Sequence, residues 1–326
     1  MLKVRLSVLA LAGLSVVLVP DSRAVTFQQD FATDPAAQGW KVVGDTNLFC
    51  WNSTNQNLQV RWDSSQTNSY FCHPLDATLG VDDDLSVSFD LQITSAAITG
   101  YGFELAIGFL NLADATRPNF LRGTGVDSPN LVEFDYFPDP DGILWWGPSI
   151  TTMMVDSVGT NASHWSQGGF AGLEMALNHL FHVELIYAAT NHTLHTSITD
   201  NGMPFGPVPD AYLPATFLSF RVDHIAIASY SDANGWGSVL ADGIVDNLTV
   251  TATPRAAPRV NGSFVAGGVW QAQFLSHTNW LYTLERTTNF QSWTEVSETR
   301  RGNEGDMVLL DPNAPAPGAF YRVRAD

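Results

Sequence analysis

Glu133, Asp135 and Asp139 alternate along Val132-Glu133-Phe134-Asp135-Tyr136-Phe137-Pro138-Asp139. Every second residue of an extended strand points to one face, so these three carboxylates share a side. Like charges gathered that way resist ionising together unless a cation or a proton intervenes. Asp141 follows in the next turn and adds another oxygen. Calcium takes typically about six to eight oxygens, so a calcium site is the chemistry expected of this run. Trp145 and Trp146 come next. An exposed indole stacks on the C–H face of a sugar, and in adjacent strand positions one ring points in and the other out.

Other reactive pairs carry less. His179 with His182, and His192 with His195, have metal-like spacing, but three apart in a strand means opposite faces. No Gly-x-Ser-x-Gly elbow and no phosphate loop occurs, which leaves serine hydrolysis and nucleotide binding without support. Cys50 and Cys72 are the two cysteines. Export permits a disulfide, and a hairpin of strands Asn57 to Trp62 and Ser69 to Cys72 around Asp63-Ser64-Ser65-Gln66 would set Cys72 beside the strand of Cys50. Closing that loop is worth roughly 3 kcal/mol.

The elements that must hold these groups are strands. Ser86 to Leu91 alternates polar with apolar, and Tyr101 to Phe109 and Leu131 to Tyr136 continue the pattern. His182 to Tyr187 pairs with Thr193 to Ile198 through Ala189-Thr190-Asn191, and Ile225 to Tyr230 and Gly243 to Val250 complete the set. Leu173, Ala176, Leu177 and Leu180 have helical spacing and predict one short helix. Many strands at short intervals make the fold class all-β, a two-sheet sandwich.

Lys3 and Arg5, an apolar run from Leu6 to Pro20 and Ser22-Arg23-Ala24 form a signal peptide over 1–24. The run is too short for a comfortable span of about 20 residues, and nothing later is long and apolar enough to cross a bilayer. The expected location is therefore outside the cell or at its surface. Residues 25–253 form the main domain, 254–259 a Pro-rich linker and 260–326 a small β domain. Between 25 and 254 stand five basic residues against 25 acidic ones, a net charge of −20, whereas 255–326 carries seven of each sign. Such acidity repels nucleic acid and anionic lipid and suits cations and neutral ligands.

The central stretch resembles an L-type (legume-type) lectin. Gly100-Tyr101-Gly102-Phe103-Glu104-Leu105-Ala106 stands for that family's first Gly-rich strand, Arg122-Gly123-Thr124-Gly125 for its loop and Asn130 to Asp139 for its metal strand. The resemblance implies a concanavalin A-like jelly-roll sandwich. It implies metal ligation by Glu133 and Asp135, a carbonyl from Phe137, and Asp139 in place of an Asn. It implies ligand contact by Tyr101, Gly123 and Gly125. Two positions depart: Ser149 lies nearest the family's later His, and Tyr101 replaces its sugar-contacting Asp. The last domain resembles a C-terminal module of exported bacterial proteins, carried by Tyr282 to Trp293 and Phe320 to Arg324. The function expected is non-catalytic binding of a glycan or another extracellular polymer. The alternatives are a structural or adhesive surface protein, and a glycoside hydrolase of the laminarinase-like type, whose second Glu position is here Pro138.

Overall fold

The computed structural model describes residues 25–100, 102–118, 120, 128–158, 165–232, 235–254, 260–277, 280–303, 305–315 and 318–325. Residues 1–24, where a signal peptide is expected, Tyr101, Gly123, Gly125 and residues 255–259 of the expected linker lie outside them. The chain divides into two compact units between residues 255 and 256.

The first unit holds sixteen described strands. They are β1 (Val25–Gln29), β2 (Lys41–Val43), β3 (Phe49–Asn52), β4 (Asn57–Asp63), β5 (Ser69–Leu79) and β6 (Asp84–Ile98). Then come β7 (Leu105–Leu110), β8 (Leu131–Phe137), β9 (Ser149–Val155), β10 (Trp165–Gln167) and β11 (Phe181–Ala188). The last are β12 (Thr193–Asp200), β13 (Met203–Pro204), β14 (Ala211–Tyr212), β15 (Val222–Ser229) and β16 (Val239–Thr253). One sheet runs β13-β12-β11-β6-β16-β4-β3, with β1 also on β16 and β14 on β12. The other runs β10-β9-β8-β7-β15-β5-β2.

The sheets pack face to face and share one core. Phe89 of β6 meets Phe134 of β8 edge to face, with centroids 5.9 Å apart. Phe49 of β3 meets Phe71 of β5 at 6.0 Å, and Trp40 stacks on Phe71 at 4.7 Å. The nine-stranded sheet turns its other face to water, so β4, β6, β11 and β12 alternate buried with exposed or half-buried residues. Strands β7 and β9 are buried at every position, because loops cover the outer face of their sheet. This is the all-β two-sheet sandwich expected, and the hairpin of β11 with β12 has the expected register, Val183 opposite Ile198.

Three expectations are corrected. Strands β4 and β5 exist but do not pair: β4 joins the nine-stranded sheet and β5 the seven-stranded one. The chain crosses between sheets at 64–68, where Ser64 N–H donates to Val239 O and turns the backbone away from a hairpin. Cys50 therefore sits exposed opposite Gln59, and Cys72 is buried opposite Lys41 and Ala226. Both are free thiols, and burial pushes the pKa of Cys72 up to about 11. The spacing of Leu173, Ala176, Leu177 and Leu180 does not produce a helix. Leu177 and Leu180 are exposed, and the buried residue there is Met175, so no apolar stripe faces the core.

The second unit contains β17 (Asn261–Phe264), β18 (Trp270–Leu275), β19 (Leu281–Thr287), β20 (Thr294–Glu295), β21 (Arg300–Arg301), β22 (Asp306–Asp311) and β23 (Phe320–Ala325). Strands β17-β18-β22 form one sheet; β20-β19-β21, with β23 on β19, form another. Its core is small: Ala272, Phe274, Tyr282, Leu284, Met307 and Leu309. Ion pairs supplement it. Arg322 and Arg324 both reach the buried Glu285, at 2.6 and 2.7 Å, and Arg286 reaches Asp311 at 2.7 Å. No helix among the described residues is long and apolar enough to cross a membrane.

Candidate functional site

Strand β8 alternates as its sequence requires. Val132, Phe134 and Tyr136 face the inter-sheet core, which puts Glu133, Asp135 and Phe137 on the outer face. That face is closed over the acids. Glu133 and Asp135 are 2% and 0% exposed. The Tyr230 hydroxyl donates to Glu133 Oε2 at 2.8 Å, and Tyr230 is itself wedged between Tyr70 and Phe120. Beside them on the flanking strands stand the small residues Ala106, Gly108, Ala226 and Ala228.

Asp139 has a different task. The strand ends at Phe137, and Pro138 breaks the alternation that would have kept Asp139 in line. Asp139 is 5% exposed, and its Oδ1 accepts from the Ile143 N–H at 2.8 Å and its Oδ2 from the Leu144 N–H at 3.1 Å. Asp141 is exposed in the turn. Among the described residues no three His, Cys, Asp or Glu side chains are gathered as a metal would need. The expected calcium donors are thus not gathered into one site: Glu133 and Asp135 are buried on the outer face, Phe137 is half-buried at the strand end, Asp139 pegs a turn and Asp141 is exposed. The histidines do not converge either. His179, His182 and His195 hydrogen-bond Asp200, Asp90 and Asp210 at 2.7 to 3.0 Å.

What the turn after β8 does assemble is aromatic. Trp145 is 86% exposed, the most open large apolar side chain in the described chain. Trp146, next to it, is half-buried. The Trp146 ring meets Phe137 at 5.6 Å, and Phe170 meets Phe137 at 5.7 Å and Trp146 at 6.5 Å. Ile143 and Phe170 are 52% and 56% exposed. Buried Leu144 anchors the turn from below, and Gly142 and Gly147, at φ 64° and 74°, bend it on either side.

Phe170 and Glu174 were not legible in the sequence. Two hydrogen bonds between Ile150 and Ala171 lay segment 168–175 beside β9, which brings Phe170 against Phe137. Glu174 then staples that segment to the turn. Its Oε1 accepts from the Tyr136 hydroxyl and its Oε2 from the Asp139 N–H, both at 2.9 Å, and the Met175 N–H donates back to the Tyr136 oxygen at 3.1 Å. Gly168-Gly169 ahead of Phe170 is the only local signal, and it marks a turn without naming a partner.

Burial raises the Glu174 carboxyl above its usual 4.5, outweighing the two donors that favour the ionised form. The folded state therefore holds the Glu174 proton more tightly than the unfolded state. That contribution to stability is present below 4.5 and is lost as pH rises through the raised value. Glu174→Gln cannot titrate. The melting temperature of the wild type minus that of Glu174→Gln should fall between about pH 4 and about pH 7. A flat difference across scanning calorimetry runs in that window would contradict the assignment.

No family model and no curated protein matches the chain. Solved structures similar to it include legume lectins. Peanut lectin, in complex with a nine-residue peptide, is 16% identical at a TM-score of 0.46 and covers 71% of this chain and 98% of its own. Lectin II from Ulex europaeus is 14% identical at 0.46, covering 70% and 98%. The winged bean acidic lectin, complexed with methyl-α-D-galactose, is 11% identical at 0.47, covering 71% and 99%.

Proposed function

We propose that the sandwich unit binds neutral carbohydrate, without catalysis, on the platform of Trp145, Trp146 and Phe170, and that the protein works outside the cell after removal of residues 1–24. The observation that carries this is the 86% exposure of Trp145 on a turn pegged by a buried carboxylate. Holding an indole in water is costly unless a ligand face covers it, and the C–H face of a pyranose is such a cover. A net charge of −20 over 25–254 favours a neutral polymer over an anionic one. Glu133, which a hydrolase of the laminarinase-like type would use, is buried and already engaged by Tyr230. Support for a binding role thus comes from rings presented to solvent, not from opposed acids.

A glycan array followed by titration of the best hit tests it. Trp145→Ala should weaken binding about 10- to 100-fold, that is by about 1.4 to 2.8 kcal/mol. EDTA should leave wild-type binding in place, since stacking on the rings needs no cation. Unchanged affinity in Trp145→Ala would remove the platform from the account.

A further inference from the structure

Trp236 stands on a loop built like the one that carries Trp145. Asp232 is 3% exposed, and its carboxylate serves that loop. Oδ1 accepts from the Trp236 N–H at 2.5 Å; Oδ2 accepts from the Ser238 N–H at 2.7 Å and the Ser64 hydroxyl at 3.1 Å. Gly235 and Gly237, at φ 64° and 69°, turn the chain on either side of the indole, which is left 65% exposed. Asp139 likewise accepts from two N–H groups of its own loop, those of Ile143 and Leu144 just ahead of Trp145. Each loop has a buried aspartate as its peg and an open tryptophan at its surface.

The two loops leave the same end of the same sheet. Strands β8 and β15 both pair antiparallel with β7, so they run parallel to each other. The chain therefore emerges from both at one end, towards Trp145 and towards Trp236. The segment entering β7 lies between them and is tied to both. The Thr99 hydroxyl donates to Gly237 O at 2.9 Å and the Thr99 N–H to Ser238 O at 3.0 Å. On the other side Gly102, at φ 74°, lies so close to Leu144 that an added Cβ would sit 2.8 Å from its Cδ1. The roots of the two loops are two strand spacings apart, about 10 Å. That gap is wider than one pyranose ring and suits a chain of them.

We propose that the ligand of this face is an extended neutral glycan of several sugar units, stacked on Trp145 at one end and on Trp236 at the other, across the strip marked by Thr99 and Gly102 between them. The proposal rests on the platform reading above and adds the length of the ligand. Binding energy should then accumulate along the glycan until the second indole is reached.

The test is isothermal titration with disaccharides and hexasaccharides of the laminari-, cello-, manno- and xylo- series, on the wild type, Trp236→Ala, Trp236→Phe and Trp145→Ala. In the best series, the wild type should bind the hexasaccharide more tightly than the disaccharide by about tenfold, or about 1.4 kcal/mol. Trp236→Ala should lose most of that gain, and Trp236→Phe, which keeps a stacking ring, should recover most of it. Both side chains are exposed, so both variants should melt with the wild type. An undiminished gain in Trp236→Ala, with binding lost in Trp145→Ala, overturns the two-tryptophan ligand and leaves the platform standing. Wild-type affinity in Trp145→Ala, or no binding to any series, overturns both.

Discussion

Asp139→Ala is expected to abolish glycan binding although every aromatic ring stays in the chain. The carboxylate accepts the N–H groups of Ile143 and Leu144, and its own N–H is held by Glu174. Removing it leaves two amide donors without a charged acceptor at a residue only 5% exposed. Hydrogen bonds to a charged group are worth about 1.5 to 3 kcal/mol each, so the local loss should reach about 2 to 4 kcal/mol, allowing for water reaching the opened turn. That exceeds what a turn gains from its own packing, and the indoles would then sample many orientations at an entropic cost to binding. The control is Asp141→Ala, two residues on, whose side chain is exposed and should be neutral within about 0.5 kcal/mol. Titration with the best array glycan and a melting curve read the two effects separately. Full affinity in Asp139→Ala would show that the turn holds its shape without the peg.

Phe134→Ala should cost the most stability of any substitution considered, about 3 to 5 kcal/mol. Its ring is 1% exposed and meets the fully buried Phe89 from the opposing sheet, with the planes 68° apart. Truncation removes apolar area and leaves a cavity between two rigid layers that cannot close over it. Urea unfolding should show a lowered midpoint with an unchanged slope. Trp145→Ala, at the surface, should move the same midpoint very little. A loss below about 1 kcal/mol for Phe134→Ala would mean that the sheets are not joined there.

Much of the nine-stranded sheet was legible because one face of its strands meets water. Ser86 to Leu91 and His182 to Tyr187 alternate in the sequence and in the sandwich, in register, Val183 beside Phe89. The same rule misled where its premise failed. Asp139 continues the period-two count on paper, but Pro138 ends the strand before it. Leu177 and Leu180 are spaced for a helix, yet the segment is held by strands instead, Ala171 on Ile150 and the Asn178 N–H on Ile93 O. The cysteine pair failed for a different reason. Alternation says which face a residue takes but not which sheet its strand joins, and β4 and β5 go to opposite layers. Phe170, Glu174 and Trp236 lay beyond reach because their partners are set by long-range loop contacts that leave no periodic trace.

The pairing of β1 with β16 has one further consequence. Val25 lies opposite Ala252 and Phe27 opposite Val250, so the unit's first and last strands are neighbours in one sheet. Its two ends are therefore spatially close, a layout that suits circular permutation. The old ends could be sewn together by a short linker and new ones opened at Ala189-Thr190-Asn191, in the β11–β12 hairpin, without changing any strand's neighbours. The order in which the strands are synthesised is thus separable from the shape they build. It bears instead on timing, since β16 runs along β6 through the middle of the nine-stranded sheet and arrives last. A nascent chain that lacks it has a split layer, and the sandwich closes only when that unit's own sequence is nearly complete.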